Sequence, residues 1–243
     1  MTAALVMAGG RGERLKASGT LVPKPLLPVL GVPLLERNLL TLLATGFRDI
    51  TVAIPSHTPE IEAFVQRRCR RLADSYAARL AVLVERAPLG NIGAAREVQI
   101  GDADLLVIYA DNLTALDLND LVAHYQSVAA ALTSAVHFEP FRIPYGEVQV
   151  ENGSIVAYRE KPERRVLVSS GVFVLSPAAR SLLPPGERTD VAWLVNRLLA
   201  ERLPVAAYQH EASWIDINDT AAIARAEQLV ATHPERFDVR APA

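Results

Sequence analysis

Apolar residues fall into two kinds of run that alternate through the first half of this chain. Continuous apolar stretches at Ala3–Ala8, Ile50–Ile54, Leu80–Val84 and Leu105–Ala110 read as strands buried on both faces. Between them, apolar residues recur at helical spacing from Pro33 to about Thr45, from about Pro59 into the seventies, and briefly near Gly93 to Gln99. This alternation predicts an α/β fold with a Rossmann-like, mostly parallel mixed sheet and helices on both faces. The second half differs. Thr133–Phe138, Glu147–Gln149, Ile155–Tyr158 and Val168–Leu175 are strand-like and are separated by turn signals such as Glu151-Asn152-Gly153, so a hairpin-rich insertion is expected there. Two helices are expected to close the fold. One runs from Asp190 to about Arg202, with Val191, Leu194, Val195, Leu198 and Leu199 at helical spacing, and the other from Asp219 to about Ala231.

No linker-like stretch interrupts this pattern, so residues 1–243 are expected to form one domain. With half of its residues hydrophobic, the chain can bury a sizeable core. A single cysteine argues against a disulfide framework, and Cys69 shares a helical face with Ile61, Phe64, Val65 and Leu72, where a buried thiol is expected. The chain enters a strand pattern at once, without a basic leader, and no segment reaches the roughly 18 apolar residues of a membrane span. A soluble, cytoplasmic protein is the expectation. A net charge of −2 lacks the basic surplus of a general nucleic-acid binder, so any phosphate recognition must be local. Arg67, Arg68, Arg70 and Arg71 are the densest positive cluster and read as a solvated helix face. The five histidines show no metal-ligand spacing and read as structural or surface residues.

The candidate chemistry starts where the first strand breaks into Gly9-Gly10-Arg11-Gly12-Glu13-Arg14, with Pro23-Lys24-Pro25 beyond. Glycines leave no Cβ in the way, so such a turn can lay its N–H groups against a polyanion, and Arg14 and Lys24 add charge. No Lys-Ser/Thr pair follows the last glycine, which excludes the P-loop pattern. Leu15 stands where a dinucleotide fingerprint needs its third glycine. Asp111 and Asp216 each follow an apolar stretch, and two carboxylates meeting at a sheet edge can hold Mg²⁺ together with substrate phosphates. Helix capping is the other reading of either aspartate.

The run Gly-Gly-x-Gly-x-Arg-Leu followed by Pro-Lys-Pro-Leu-Leu-Pro-Val resembles the signature of the sugar-phosphate nucleotidyltransferase family, and five further motifs follow in the family's order. They are Pro88-Leu-Gly90, Asp111-Asn112, Tyr145-Gly146-Glu147-Val148, Arg159-Glu160-Lys161-Pro162 and Trp214-Ile-Asp216-Ile. The resemblance implies an enzyme that joins a sugar 1-phosphate to an NTP, releasing pyrophosphate. It places the triphosphate on Ala8, Gly9, Gly10 and Gly12, the leaving phosphates on Arg14, and the reacting phosphates beside Lys24. Pro88 and Gly90 would approach the base, with GTP suggested, and Asp111 and Asp216 would carry Mg²⁺. Asn112, Gly146, Glu160, Ser170 and Gly171 would face the sugar, and Lys161 its phosphate. Residues 1–115 would then mainly bind the NTP and 116–243 the sugar phosphate, in a minimal catalytic domain without an appended β-helix. Such a chain needs no nucleic-acid or membrane partner and can form a homo-oligomer. Three departures stand out: Glu13 and Asn91 where the family commonly has threonine, and Asn218-Asp219-Thr220 where it usually has Gly-Thr-Pro. Two other readings remain open. One is a nucleotidyltransferase for a cyclitol phosphate or a non-sugar phosphate or phosphonate, and the other a non-catalytic binder of nucleotide sugars.

Overall fold

A computed structural model describes residues 2–9 and 22–237. Its strands are β1 (Thr2–Met7), β2 (Pro28–Val29), β3 (Val32–Pro33), β4 (Asp49–Pro55), β5 (Arg79–Glu85), β6 (Asp104–Tyr109), β7 (Asn112–Thr114), β8 (Leu132–Arg142), β9 (Glu147–Glu151), β10 (Ser154–Arg159), β11 (Glu163–Leu175), β12 (Val205–Gln209) and β13 (Trp214–Asp216). Seven of them form a central sheet in the order β12-β8-β11-β6-β1-β4-β5, and β11 alone runs antiparallel to the rest. The expected mixed, mostly parallel sheet is therefore present, and it takes strands from both halves of the chain.

Alternation along β1 shows why the apolar runs are continuous. Ala4 and Val6 point to one face and pack with the Leu34–Ala44 helix and the helical stretch over 59–75, while Ala3, Leu5 and Met7 point to the other and pack with the Pro177–Leu182 and Val191–Ala200 helices. A third cluster joins the Thr220–Thr232 helix to Leu27, Val29, Leu34 and Leu113. Cys69 sits in the first cluster with no exposure, and burial pushes its thiol up to about 12, which makes it an inert packing residue. Arg68 is exposed with the rest of its cluster, and its guanidinium also donates to the buried Glu36 carboxylate at 2.7 and 3.0 Å.

Helix starts follow capping chemistry. Asp190 accepts from Trp193 N–H, and Asp219 accepts from Ala222 N–H at 2.7 Å, so the acid in the Asn218-Asp219-Thr220 departure is a helix cap. Asp117 does the same for a helix over Leu118–Val128. Beyond the sheet, β9 and β10 pair only with each other, turning at Asn152 and Gly153 with φ of 48° and 81°. This hairpin exposes Val150, Ile155 and Tyr158, each more than half accessible. Among the described residues, no helix is long and apolar enough to cross a membrane.

Candidate active site at the carboxyl edge of the sheet

Strand register decides where the chemistry gathers. Met7 pairs with Tyr109 on β6 and with Ala53 on β4, and Pro55 pairs with Glu85 on β5. Gly9, Asp111 and Glu85 therefore leave the sheet at one edge, where loops of an open α/β sheet form their binding crevice. A cavity of about 1250 Å³ opens there.

Its floor is assembled from three distant segments. β13 pairs with β7 so that Asp216 lies opposite Asn112, and Ile217 N–H donates to the Asp111 carbonyl at 3.1 Å. Lys24 opens a 3-10 turn over Lys24–Leu26 and reaches across to both acids. Its Nζ lies 2.7 Å from Asp111 Oδ2, 3.2 Å from Asp216 Oδ1 and 3.1 Å from Asn218 Oδ1. Three oxygen donors thus converge on one positive centre. This donor set fits a hard divalent cation, which binds through one or two carboxylates plus substrate phosphates, and the ammonium is the cation standing at that place. Among the described residues no group of three or more His, Cys, Asp or Glu is arranged for a metal.

One wall is the turn Pro88–Gly90. Gly90 has φ of 81°, and a Cβ there would stand 2.2 Å from the Thr189 carbonyl oxygen. The close approach is fixed by Thr189 N–H donating to the Leu89 carbonyl at 2.9 Å, and by Asn91 Oδ1 accepting from Val191 N–H at 2.8 Å. Asn91 thus ties this turn to the start of the Val191–Ala200 helix. Below it lies Glu85, whose Oε2 accepts from Leu89 N–H while its Oε1 is buried with no partner among the described residues. Burial raises the Glu85 carboxyl above its ordinary range, and the Leu89 bond only partly offsets this. The Tyr109 hydroxyl is a second buried group on the cavity wall with no partner among the described residues. It is pushed up first by burial and then by the negative charges of Asp111 and Asp190.

The opposite wall is an irregularity in β11, where pairing with β8 shifts register between Ser169 and Phe173. The Ser170 carbonyl accepts from Asn112 Nδ2 at 2.9 Å and from Trp214 Nε1 at 2.8 Å, and its hydroxyl lies 2.8 Å from both His137 Nδ1 and His210 Nε2. His210 Nδ1 accepts from Ala212 N–H, so the bond network assigns the proton to Nε2, which donates to Ser170 Oγ, which in turn donates to His137. Ser170 is fully buried and supports the wall from behind, while Ser169 and Gly171 face the cavity.

The cavity brings together Gly9, Lys24, Pro88, Gly90, Asp111, Asn112, Gly171 and Asp216 from the sequence-derived set. Ala8 is buried behind it, with its N–H bonded to the Ala53 carbonyl. Gly146, Glu160 and Lys161 are not in its lining: Gly146 abuts the Tyr158 ring, Tyr158 donates to Glu160 at 3.3 Å, and Lys161 follows β10 with φ of 44°. Arg164 pairs with Glu147 and Arg165 stacks on Phe138, so both are engaged within the hairpin region. Gly10, Gly12 and Arg14 lie outside the described residues. Sequence reasoning missed Glu85, Tyr109, His57, Thr189 and the contacts of Asn218. Glu85 carried a usable signal, an acid ending an apolar strand, the same mark that singled out Asp111.

Comparison with known proteins follows from this geometry. Residues 3–233 match the profile of the nucleotidyl transferase family. The UTP–glucose-1-phosphate uridylyltransferase of Synechocystis is 29% identical over 88% of this chain and 59% of its own length. The mannose-1-phosphate guanyltransferase beta-B of Xenopus laevis is 26% identical over 97% of this chain and 68% of its own. The chain thus spans about three fifths of the length of the Synechocystis relative. The solved UDP-glucose pyrophosphorylase from Acinetobacter baumanii superposes with a TM-score of 0.71 at 20% identity, covering 98% of this chain and 96% of that one, which shows a shared fold.

Proposed function

The chain belongs to the nucleotidyl transferase family, and we propose that it transfers a nucleotidyl group from an NTP to a sugar 1-phosphate. A phosphate oxygen of the acceptor attacks the α-phosphorus in line. The bond from that phosphorus to the bridging oxygen breaks, and the electron pair leaves with pyrophosphate. No covalent intermediate with the protein is needed, so the work of the site is positioning and charge neutralisation. The observation that carries this reading is the convergence of Lys24, Asp111 and Asp216 on the floor of the cavity. Asp111 and Asp216 would hold Mg²⁺, which supplies charge stabilisation to the phosphates when bound. Lys24 carries one positive charge to the reacting phosphates, and Arg14 is assigned to the leaving pyrophosphate. Glu160 and Lys161 are assigned to the acceptor by motif resemblance. They lie outside the cavity lining, so this reading requires the β9–β10 hairpin to approach the cavity when the sugar phosphate binds.

Glu85 favours guanine as the base. Its buried Oε1 seeks a donor beside the Pro88–Gly90 turn, and guanine offers two adjacent ones, N1–H and the N2 amino group. Uracil offers a single N3–H flanked by two carbonyls, which would face the carboxylate with like-signed lone pairs. The relatives named as a uridylyltransferase and a guanyltransferase support the reaction class and do not choose between these bases. The test is pyrophosphate release with Mg²⁺ for each NTP against hexose, heptose, amino-sugar and cyclitol 1-phosphates. GTP should lead, and Glu85→Gln, which adds a donor able to meet a uracil carbonyl, should narrow the GTP/UTP ratio of kcat/KM by about tenfold. Release with no sugar phosphate would overturn the acceptor assignment, and an unchanged ratio would overturn the role of Glu85.

A further inference from the structure

Asn218 stands where the family resemblance expects glycine, and it touches both kinds of charge on the cavity floor. Its Oδ1 accepts from Lys24 Nζ at 3.1 Å while its Nδ2 donates to Asp216 Oδ2 at 2.6 Å. An ammonium has three N–H donors, and here each has an acceptor: Asp111, Asp216 and Asn218. Both oxygens of Asp216 are thereby engaged, Oδ1 by Lys24 and Oδ2 by Asn218. A metal ion seeking both carboxylates would meet an ammonium already seated between them, a like-charge contact that weakens its binding while Lys24 stays.

We propose that Asn218 is a positioning residue that latches Lys24 onto the Asp111 and Asp216 carboxylates, so that divalent metal gains them only when a nucleotide polyphosphate draws the ammonium away. The inference rests on the metal assignment made for Asp111 and Asp216 above. The polyphosphate supplies what the latch lacks, a dense negative charge on the cavity side, and the Lys24 stem is long enough to pivot without moving the backbone. Metal and nucleotide binding are then coupled, and the coupling is reciprocal: the factor by which nucleotide tightens metal binding is the factor by which metal tightens nucleotide binding. A glycine at position 218 would remove one of the three holds on Lys24 and the clamp on Asp216, leaving the carboxylates more open to metal.

Direct Mn²⁺ binding to the whole chain, read by the loss of the free-ion electron paramagnetic resonance signal, tests this without turnover. In the absence of nucleotide, Asn218→Gly should tighten Mn²⁺ binding by about three- to tenfold, the size of an ordinary net hydrogen bond. Lys24→Met should tighten it further. The extra gain produced by an α,β-methylene nucleoside triphosphate should shrink by the same factor in each variant. Asn218→Ser, smaller but still polar, should fall between wild type and glycine and guards against a folding defect in the glycine variant. Weaker Mn²⁺ binding by Asn218→Gly would overturn the latch and make Asn218 a ligand, and unchanged binding would overturn it outright. Asp111→Asn separates the two claims: if it leaves Mn²⁺ binding intact the metal assignment fails, whereas if it abolishes binding and Asn218→Gly changes nothing, only the latch fails.

Discussion

The floor of the cavity and the β9–β10 hairpin are both made of strand ends and turns, yet they are built to opposite standards. On the floor, Lys24, Asp111, Asp216 and Asn218 satisfy one another, and the strands behind them, such as β1 and β6, hold Leu5, Val6, Val107 and Ile108 with no exposure. In the hairpin, β9 and β10 pair as strands with each other and not with the central sheet, Ile155 is 66% exposed, and Gly146, Glu160 and Lys161 stay outside the cavity. On the reading proposed above, the difference teaches that the nucleotide side would be preorganised by the core, whereas the acceptor side would rest on a hairpin outside the central sheet. Preorganised charge is the kind that lowers a barrier without reorganising during reaction. A loosely held element suits acceptors that vary in shape.

The sharpest break is Asp111→Asn. It keeps size and hydrogen bonding but removes one charge from the floor, and pyrophosphate release should fall by roughly 10²–10³ with nucleotide binding retained. An equal loss of binding would mean that the floor is less preorganised than its contacts imply. Next is Gly90→Ala, which places a Cβ 2.2 Å from the Thr189 carbonyl in a backbone with φ of 81°. It should cost about 1–3 kcal/mol in thermal unfolding and raise KM for the nucleotide, because the turn must part from the 187–191 strap. The hairpin side is read by Lys161→Ala. The sugar phosphate KM should rise by about tenfold with the nucleotide KM unchanged and no change in melting temperature, the pattern of lost ground-state binding at an exposed residue. A large melting shift would show that the hairpin is structural after all.

The smallest effect concerns the wall behind Ser170. Burial, then the neighbouring His137, holds the His210 imidazole below its ordinary value of 6.5. A depressed histidine favours the neutral ring in the fold, so its contribution is fully present above pH 6.5 and is lost as pH falls through its lowered value. His210→Gln should remove roughly a degree or two of the melting-temperature loss between pH 7 and pH 5, and an unchanged loss would place the acid sensitivity elsewhere.

The same contrast explains what was legible in the sequence. Strands buried on both faces write a continuous apolar run, so β1, β4, β5 and β6 are plain from their residues, and Asp111 is plain because it ends one of them. β7 and β13 are three residues each, too short for any period, and their pairing is what brings Asp216 to Asp111. The tie from Asn91 to Val191 and the contacts of Asn218 could not be read either, since they join residues 100 and 194 positions apart through single side chains. Motif resemblance located Glu160 and Lys161 in the chain but carried no information on how far the hairpin stands from the cavity. Arg67, Arg68, Arg70 and Arg71 are exposed as expected, and what could not be read was the Arg68 bond to the buried Glu36, 32 residues away.

The β7–β13 pairing also orders the life of the molecule. Lys24 and Asp216 are 192 residues apart, so a ribosome delivers most of the sheet before the second carboxylate exists. Until β13 is made, Asp111 is the one carboxylate available to Lys24, since Asp216 and Asn218 come later in the chain. On the proposed reading, a chain ending before β13 would lack Asp216 and Asn218 at the cavity floor, and it should release no pyrophosphate.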